Sequence, residues 1–109
     1  MRGYLEALGL NQRACCSVGF NGGVLYENGT GTVLQATFFE PETLQEIVAE
    51  LRRMNVNFHL ESPISIVTGL NPIGHYTVRD SFITNMPLEV AKFEALLKRS
   101  DICKIMIAD

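Results

Sequence analysis

Two hydrophobic periods run through this chain, and the switches between them mark its elements. The clearest helical stretch is 41–54, PETLQEIVAELRRM. There Leu44, Ile47, Val48 and Leu51 recur at i, i+3, i+4 and i+7 and so share one helix face. Pro41 suits the first turn, where an N–H has no intrahelical partner to lose. Glu42 lies near the positive end of the helix dipole, and Arg52 and Arg53 lie near the negative end. Asn55 can close the helix in the left-handed region. Glu42, Glu46 and Glu50 fall on a solvated face. A shorter helix is expected over 2–9, with Tyr4, Leu5 and Leu8 on one face and Gly9 as its stop.

Elsewhere the period is two, or the apolar run is unbroken. ACCSVGF, 14–20, reads as a short buried strand that Asn21-Gly22-Gly23 interrupts. VLYENGTGTVLQATFF holds two strand-like runs, 24–27 and 30–39, around Asn28-Gly29. That pair favours a type I′ hairpin turn, in which both central residues need positive φ. VNFHL alternates, with Val56, Phe58 and Leu60 inward and Asn57, His59 and Glu61 outward. Ser62-Pro63 turns the chain into a strand at 64–68, and 69–74 is a turn-rich loop. Residues 75–85 read both ways: Val78 and Phe82 stand four apart as on a helix, while the β-branched content favours a strand. Pattern alone makes 87–99 helical, and ICKIMIA, 102–108, is a strand of buried type. Together these elements give one compact α/β unit over 1–109, of α+β layout: a small mixed or antiparallel sheet with helices packed on it.

Composition removes whole classes of function. The 109 residues suffice for one domain with a modest core, and 47% hydrophobic with 19% charged residues is ordinary for a soluble globular chain. The net charge is -3, and Arg52-Arg53 and Lys98-Arg99 are the only adjacent basic pairs. A grip on the phosphate backbone needs a clustered basic face, so nucleic acid is not an expected partner. Nor is a membrane, since no apolar run reaches spanning length. The opening MRGYLEALGLNQ lacks the apolar core and cleavage site of a signal peptide. Cys15, Cys16 and Cys103 are odd in number and lack zinc-ligand spacing. They read as buried free thiols in a reducing, cytoplasmic compartment.

The search for chemistry returns mostly absences. Gly22-Gly23 leads into Val24-Leu25-Tyr26, without the Lys and Ser or Thr of a P-loop. Gly29-Thr30-Gly31 leads into a strand, not the helix that a dinucleotide fingerprint requires. No Gly-x-Ser-x-Gly elbow occurs. His59 and His75 stand far apart, and His59 reads as an exposed strand residue. The only aspartates are Asp80, Asp101 and Asp109, and none are close in sequence. No Asp-x-Asp pair can hold magnesium while supplying a carboxylate nucleophile.

The order of the segments nevertheless resembles one family. Phe20-Asn21-Gly22-Gly23, then Phe58-His59-Leu60, then His75-Tyr76-Thr77-Val78-Arg79-Asp80-Ser81-Phe82, and finally Lys104-Ile105-Met106-Ile107-Ala108-Asp109 are similar to the Cof-type sugar phosphatase branch of the haloacid dehalogenase-like hydrolases. Those enzymes carry a Ser/Tyr-Asn-Gly-Ala loop, a hairpin, a cap strand like Phe-His-Ala, a segment like His-Tyr-Thr-Val-His-Glu-Ser-Phe, and a strand like Lys-Val-Met-Met-Ile-Asp. Here Gly23 replaces the usual Ala, and Arg79-Asp80 replaces His-Glu.

The resemblance implies a truncated fold of that family. Residues 1–23 would be a remnant of a Rossmann-like core, and 24–109 a hairpin with part of an α/β cap, both ends looking cut. It makes 75–85 a helix and 87–95 extended, which leaves 87–99 open. Family members attack phosphate with the first Asp of an Asp-x-Asp loop and use the second as acid/base. A Thr or Ser, a Lys and a Gly-Asp-x-x-Asn-Asp loop complete their site around magnesium. None of these motifs lies in this sequence, so no catalytic or metal residue is expected here, and the magnesium belongs to full-length members. The expected role is the substrate-selecting part of a sugar-phosphate hydrolase, not catalytic alone.

The resemblance nominates Asn21, Gly22 and Gly23 on the core loop as substrate-binding residues. It nominates His59, Glu61, His75 and Tyr76 as substrate-facing cap groups, with a small phosphorylated molecule as partner. Two other readings stand beside it. One is a self-associating α/β module whose homodimer covers sheet edges at 14–20 and 102–108. The other is a module that binds phosphorylated sugars without catalysis.

Overall fold

Phe58, Leu60 and Val67 of a four-stranded sheet pack against Leu44, Val48 and Leu51 of the longest helix, and this contact organises the protein. The computed structural model describes residues 6–9, 12, 16–70 and 72–108. Glu6 and Ala7 are helical, Leu8 and Gly9 turn with Gly9 at φ 70, and residues 2–5 of the expected 2–9 helix lie outside the described residues.

The chain builds two sheets rather than one. The first is an antiparallel meander of β1 (Cys16–Gly19), β2 (Val24–Glu27) and β3 (Val33–Ala36), with a register shift between Leu25 and Tyr26. The second contains β4 (Phe58–Glu61), β5 (Ile66–Thr68), β6 (Leu88–Val90) and β7 (Lys104–Ile107) in the order β6-β5-β4-β7. Only β5 and β6 run parallel. A parallel pair needs a crossover, and the helix α2 (His75–Thr84) supplies it. The helix α1 (Pro41–Arg53) and the single turn α3 (Phe93–Leu96) lie on the other face, where Phe93 and Leu96 join the α1 core.

The α1 expectation holds in detail. Leu44, Val48 and Leu51 are buried, Ile47 packs beside them, and Asn55 is left-handed at φ 57. Residues 75–84 are helical and close on a left-handed Asn85, as the resemblance implies. Pattern reading fails over 87–99, which splits into β6 and α3 because Leu88–Val90 completes the sheet beside β5.

Other expectations need correction. The outward assignment of His59 and Glu61 assumed that β4 has one wet face. β4 lies between β5 and β7, α2 covers its second face, and all four of its residues are buried. The described part of the 14–20 strand is not buried: β1 is a sheet edge, Val18 is exposed, and the Cys16 thiol is exposed rather than enclosed, while Cys15 lies outside the described residues. The hairpin of 24–27 with the following strand forms, but without a type I′ turn. Its positive φ belongs to Gly31, at 72°, in a longer loop closed by the Gly31 N–H donating to the Glu27 carbonyl at 2.8 Å. The Asn28 side chain is buried, and its Oδ1 accepts from the Ser17 hydroxyl at 2.5 Å.

The α2 helix is inverted relative to a core helix. Thr77 is buried against the sheet, while Tyr76, Val78, Phe82 and Ile83 are exposed, Phe82 at 86%. This explains why its hydrophobic spacing reads so weakly: the face it seats on the sheet is polar.

Candidate functional site

The glycine loop begins with a conformational outlier. Phe20 has φ 53, a left-handed value that a bulky side chain rarely adopts, and Gly22 follows at φ 92. Residues Phe20–Gly22 make a tight 3-10 turn, closed where the Gly23 N–H donates to the Phe20 carbonyl at 3.0 Å. Gly22 meets its φ without strain because it has no Cβ. At Gly23 the constraint is space: a Cβ would sit 3.1 Å from the Phe20 carbonyl oxygen. For Asn21 only the backbone is described.

Gly22 and Gly23 line an open cleft of about 370 Å³ with Phe20, Phe38, Phe39 and Cys103. It lies where the two sheets meet. The Thr37 N–H donates to the Gly23 carbonyl at 2.8 Å and extends the first sheet, and the Phe39 N–H reaches across to the Ile102 carbonyl, just before β7, at 2.9 Å. The lining carries no charged side chain. The cleft suits the uncharged body of a small molecule and has no cation for a phosphate group.

Cys103 joins this cleft to a second, buried group. Its N–H donates to the Glu61 carbonyl at 2.9 Å, and its thiol approaches the same oxygen at 3.3 Å. Burial and the nearby Glu61 carboxylate push the thiol up to about 11, so it is neutral near pH 7. His59 is fully buried behind Glu61. Its Nδ1 shares a 2.9 Å hydrogen bond with the Thr77 hydroxyl of α2. Its Nε2 faces two carboxylates, Glu61 Oε1 at 3.8 Å and Asp80 Oδ2 at 3.7 Å. Lys104, the cross-strand partner of Glu61, brings its Nζ to 3.8 Å from Oε2. His59 Nε2 and Glu61 Oε2 have no hydrogen-bond partner.

The structure therefore brings His59 and Glu61 together, but within the protein and not on a cleft wall. His75 and Tyr76 stand apart at the start of α2, exposed, with their rings 4.0 Å from centroid to centroid. Gly22 and Gly23 lie in the other location, beyond Cys103. Sequence reasoning did not pick out Thr77 and Asp80, although their i, i+3 spacing is a signal for one helix face. It also missed Lys104, whose pairing with Glu61 depends on a register visible only once the sheet forms.

Magnesium, which the resemblance attaches to the full-length family, needs a shell of oxygen ligands in near-octahedral order. Among the described residues no group of three His, Cys, Asp or Glu side chains is placed to hold a metal ion. Asp101 is engaged by Arg99 at 2.7 and 2.6 Å, and Asp80 flanks the imidazole. The residues present do not fit that ion. No helix among the described residues is long and apolar enough to cross a membrane.

No protein-family profile matches the sequence. The chain is 30% identical over 105 residues to a Streptococcus pyogenes serotype M6 protein named "Putative phosphatase", covering 96% of this chain and 39% of that protein. Its fold matches a haloacid dehalogenase-like hydrolase from Bacteroides thetaiotaomicron with a TM-score of 0.75 at 14% identity, covering 96% of this chain and 39% of that one. The chain thus spans about two fifths of the length of each of these two proteins. It has the α/β fold of part of a haloacid dehalogenase-like hydrolase.

Proposed function

We propose that this chain is the cap-bearing, substrate-selecting part of a haloacid dehalogenase-like phosphatase, of the Cof type that hydrolyses sugar phosphates with magnesium in a reducing cytoplasm. The observation that carries this reading is the pair of end-to-end matches, each covering 96% of this chain and 39% of a longer protein. The uncharged cleft beside Gly22 and Gly23 supports a role in holding the non-phosphate body of a substrate. The nucleophile, the metal and the cation that phosphoryl transfer requires would come from the rest of such an enzyme. Asp80 and Asp101, each engaged elsewhere, are not arranged as an attacking pair.

A magnesium-supplemented assay of the pure chain with p-nitrophenyl phosphate tests the catalytic half. No turnover above buffer is expected, and robust turnover would overturn it. Titration with hexose phosphates, followed by thermal shift, tests the binding half. Stabilisation that Gly22→Val removes supports substrate selection. Its absence at millimolar ligand, the range of weak single-site binding at roughly -4 kcal/mol, would overturn it.

A second reading rests on the edges of the two sheets. β1 and β7 are both edge strands, with Val18 and Ile107 exposed on them. Unpaired edges invite pairing with another chain, so the proposed partner is a second copy. Light scattering that gives a monomer at all concentrations tested would remove this reading.

A further inference from the structure

A second cleft, of about 410 Å³, opens on the face of the four-stranded sheet that carries α1 and α3. It is lined by Arg52 and Asn55 from the end of α1, Val56 and Phe58 leading into β4, Gly69 and Leu70 after β5, and Phe93 of α3. It sits at the carboxyl end of β5, the strand that runs parallel to β6. In open α/β sheets that end of a parallel strand is where small ligands collect.

Three features define its chemistry. Phe58 and Phe93, with ring centroids 6.1 Å apart and tilted by 39°, form an apolar wall with Leu70 and Val56. Gly69 allows that wall to close in, since a Cβ there would come within 3.2 Å of Phe93 Cδ1. Finally, the Arg52 guanidinium lies 4.3 Å from the centre of the Phe93 ring and has no carboxylate partner among the described residues. The neighbouring Arg53 pairs with Glu50 three residues back, whereas the same spacing from Arg52 reaches only Ala49. The end of α1 does not repel an anion strongly, because the Glu50, Leu51 and Arg52 carbonyls are answered by the N–H groups of Met54, Val56 and Asn55.

We infer that this cleft is a separate binding site for a small organic anion with a flat apolar body. The body lies against Phe93, Leu70 and Val56, with the buried Phe58 behind Phe93, and the anionic group meets Arg52. A guanidinium held over a ring and without a carboxylate partner has N–H donors to offer a carboxylate or phosphate. The site does not depend on the phosphatase reading, since it lies away from Gly22 and Gly23 and shares no residue with their cleft.

The test is a ¹H–¹⁵N titration with benzoate, and with benzyl alcohol as its uncharged counterpart. Saturable shifts are expected at the amides of Asn55, Val56, Gly69, Leu70 and Phe93. Arg52→Gln should weaken benzoate roughly tenfold, the scale of one charge-assisted contact, and benzyl alcohol should bind the native chain no better than benzoate binds that variant. Arg52 is exposed, so an unchanged amide spectrum away from the cleft confirms that the variant folds. Absence of saturable shifts at these amides overturns the inference. So does equal benzoate affinity in the native and Arg52→Gln chains.

Discussion

His59 Nδ1 and the Thr77 hydroxyl lie 2.9 Å apart in the interior, and their hydrogen bond ties α2 to the sheet. The helix needs it because its apolar residues Tyr76, Val78, Phe82 and Ile83 face away from the sheet and contribute little burial there. Thr77→Val keeps the shape of the side chain but leaves both ring nitrogens of His59 without a hydrogen bond. The expected loss is about 1–3 kcal/mol, the cost of stranding a buried polar group. Thr77→Ser should lose less. Urea denaturation of the two variants measures the difference, and equal midpoints would show that the bond does not hold the helix.

The two sheets are also fastened to each other. Tyr26 of β2 is buried, and its hydroxyl donates to the Pro63 carbonyl, in the turn between β4 and β5, at 2.8 Å. Burial, with smaller contributions from Cys103 and Glu61, holds the phenol well above its usual range, so it stays a donor at every ordinary pH. Tyr26→Phe should cost about 1 kcal/mol and speed amide exchange at the inter-sheet bond of Phe39 more than at α1. Uniform acceleration would mean that the hydroxyl stabilises the whole chain without linking its sheets.

What the sequence reveals depends on how local the determining physics is. α1 can be read directly because its stripe, its Pro41 start and its Asn55 stop all act within one helix. The strand at 64–68 is legible as β5, but α2 is not, because it buries polar side chains and exposes apolar ones, the reverse of the usual signal. His59 and Glu61 look exposed for the same reason: alternation along β4 marks two faces but cannot tell that a second helix covers one. The glycine turn is legible as a break in the chain. Its cleft is not, since Phe38, Phe39 and Cys103 reach it from distant parts of the sequence.

Cys16 and Cys103 should separate in reactivity. Cys16 is exposed on an edge strand, whereas the half-buried Cys103 thiol is pushed up to about 11 and lies against the Glu61 carbonyl. The thiolate is the nucleophile. At pH 8 iodoacetamide should therefore label Cys16 well before Cys103, as peptide mass mapping would show; comparable rates would contradict the enclosed thiol. The raised value also sets a sign for stability. Below the ordinary thiol range of about 8.5 the contribution of the neutral Cys103 is fully present. It is lost as pH rises from there through about 11, because the unfolded thiol ionises first. Cys103→Ala should flatten that alkaline decline.

The acid side rests on another contact. Arg99 donates to Asp101 at 2.7 and 2.6 Å and to Glu89 at 2.7 Å, and this holds the Asp101 carboxyl below its usual range. A carboxylate depressed in the folded state adds stability above its unfolded value, near 3.9, and that stability disappears as pH falls through the folded value. The pair is partly exposed, so the effect is small, up to about 1 kcal/mol. Asp101→Asn should lower the thermal midpoint at pH 7 and leave it unchanged near pH 2. A shift of the same size at both pH values would point to lost packing instead of lost charge.

Gly69 gives the most demanding test of the packing between β5 and α3. Its backbone has no left-handed φ, so conformation alone would admit alanine. Space does not: an added Cβ would stand 3.0 Å from Leu96 Cδ1, 3.1 Å from the Ala91 carbonyl oxygen and 3.2 Å from Phe93 Cδ1. Leu96 is buried in the core and the Ala91 carbonyl belongs to the backbone, so two of the three neighbours cannot swing aside. Gly69→Ala should therefore destabilise by about 1–3 kcal/mol, the usual cost of overpacking. The same alanine at an unconstrained site would stabilise slightly, by restricting the unfolded chain. Guanidinium denaturation thus distinguishes the cases by sign, and a stabilised Gly69→Ala would show that α3 yields where the packing of Leu96 and Phe93 says that it is fixed.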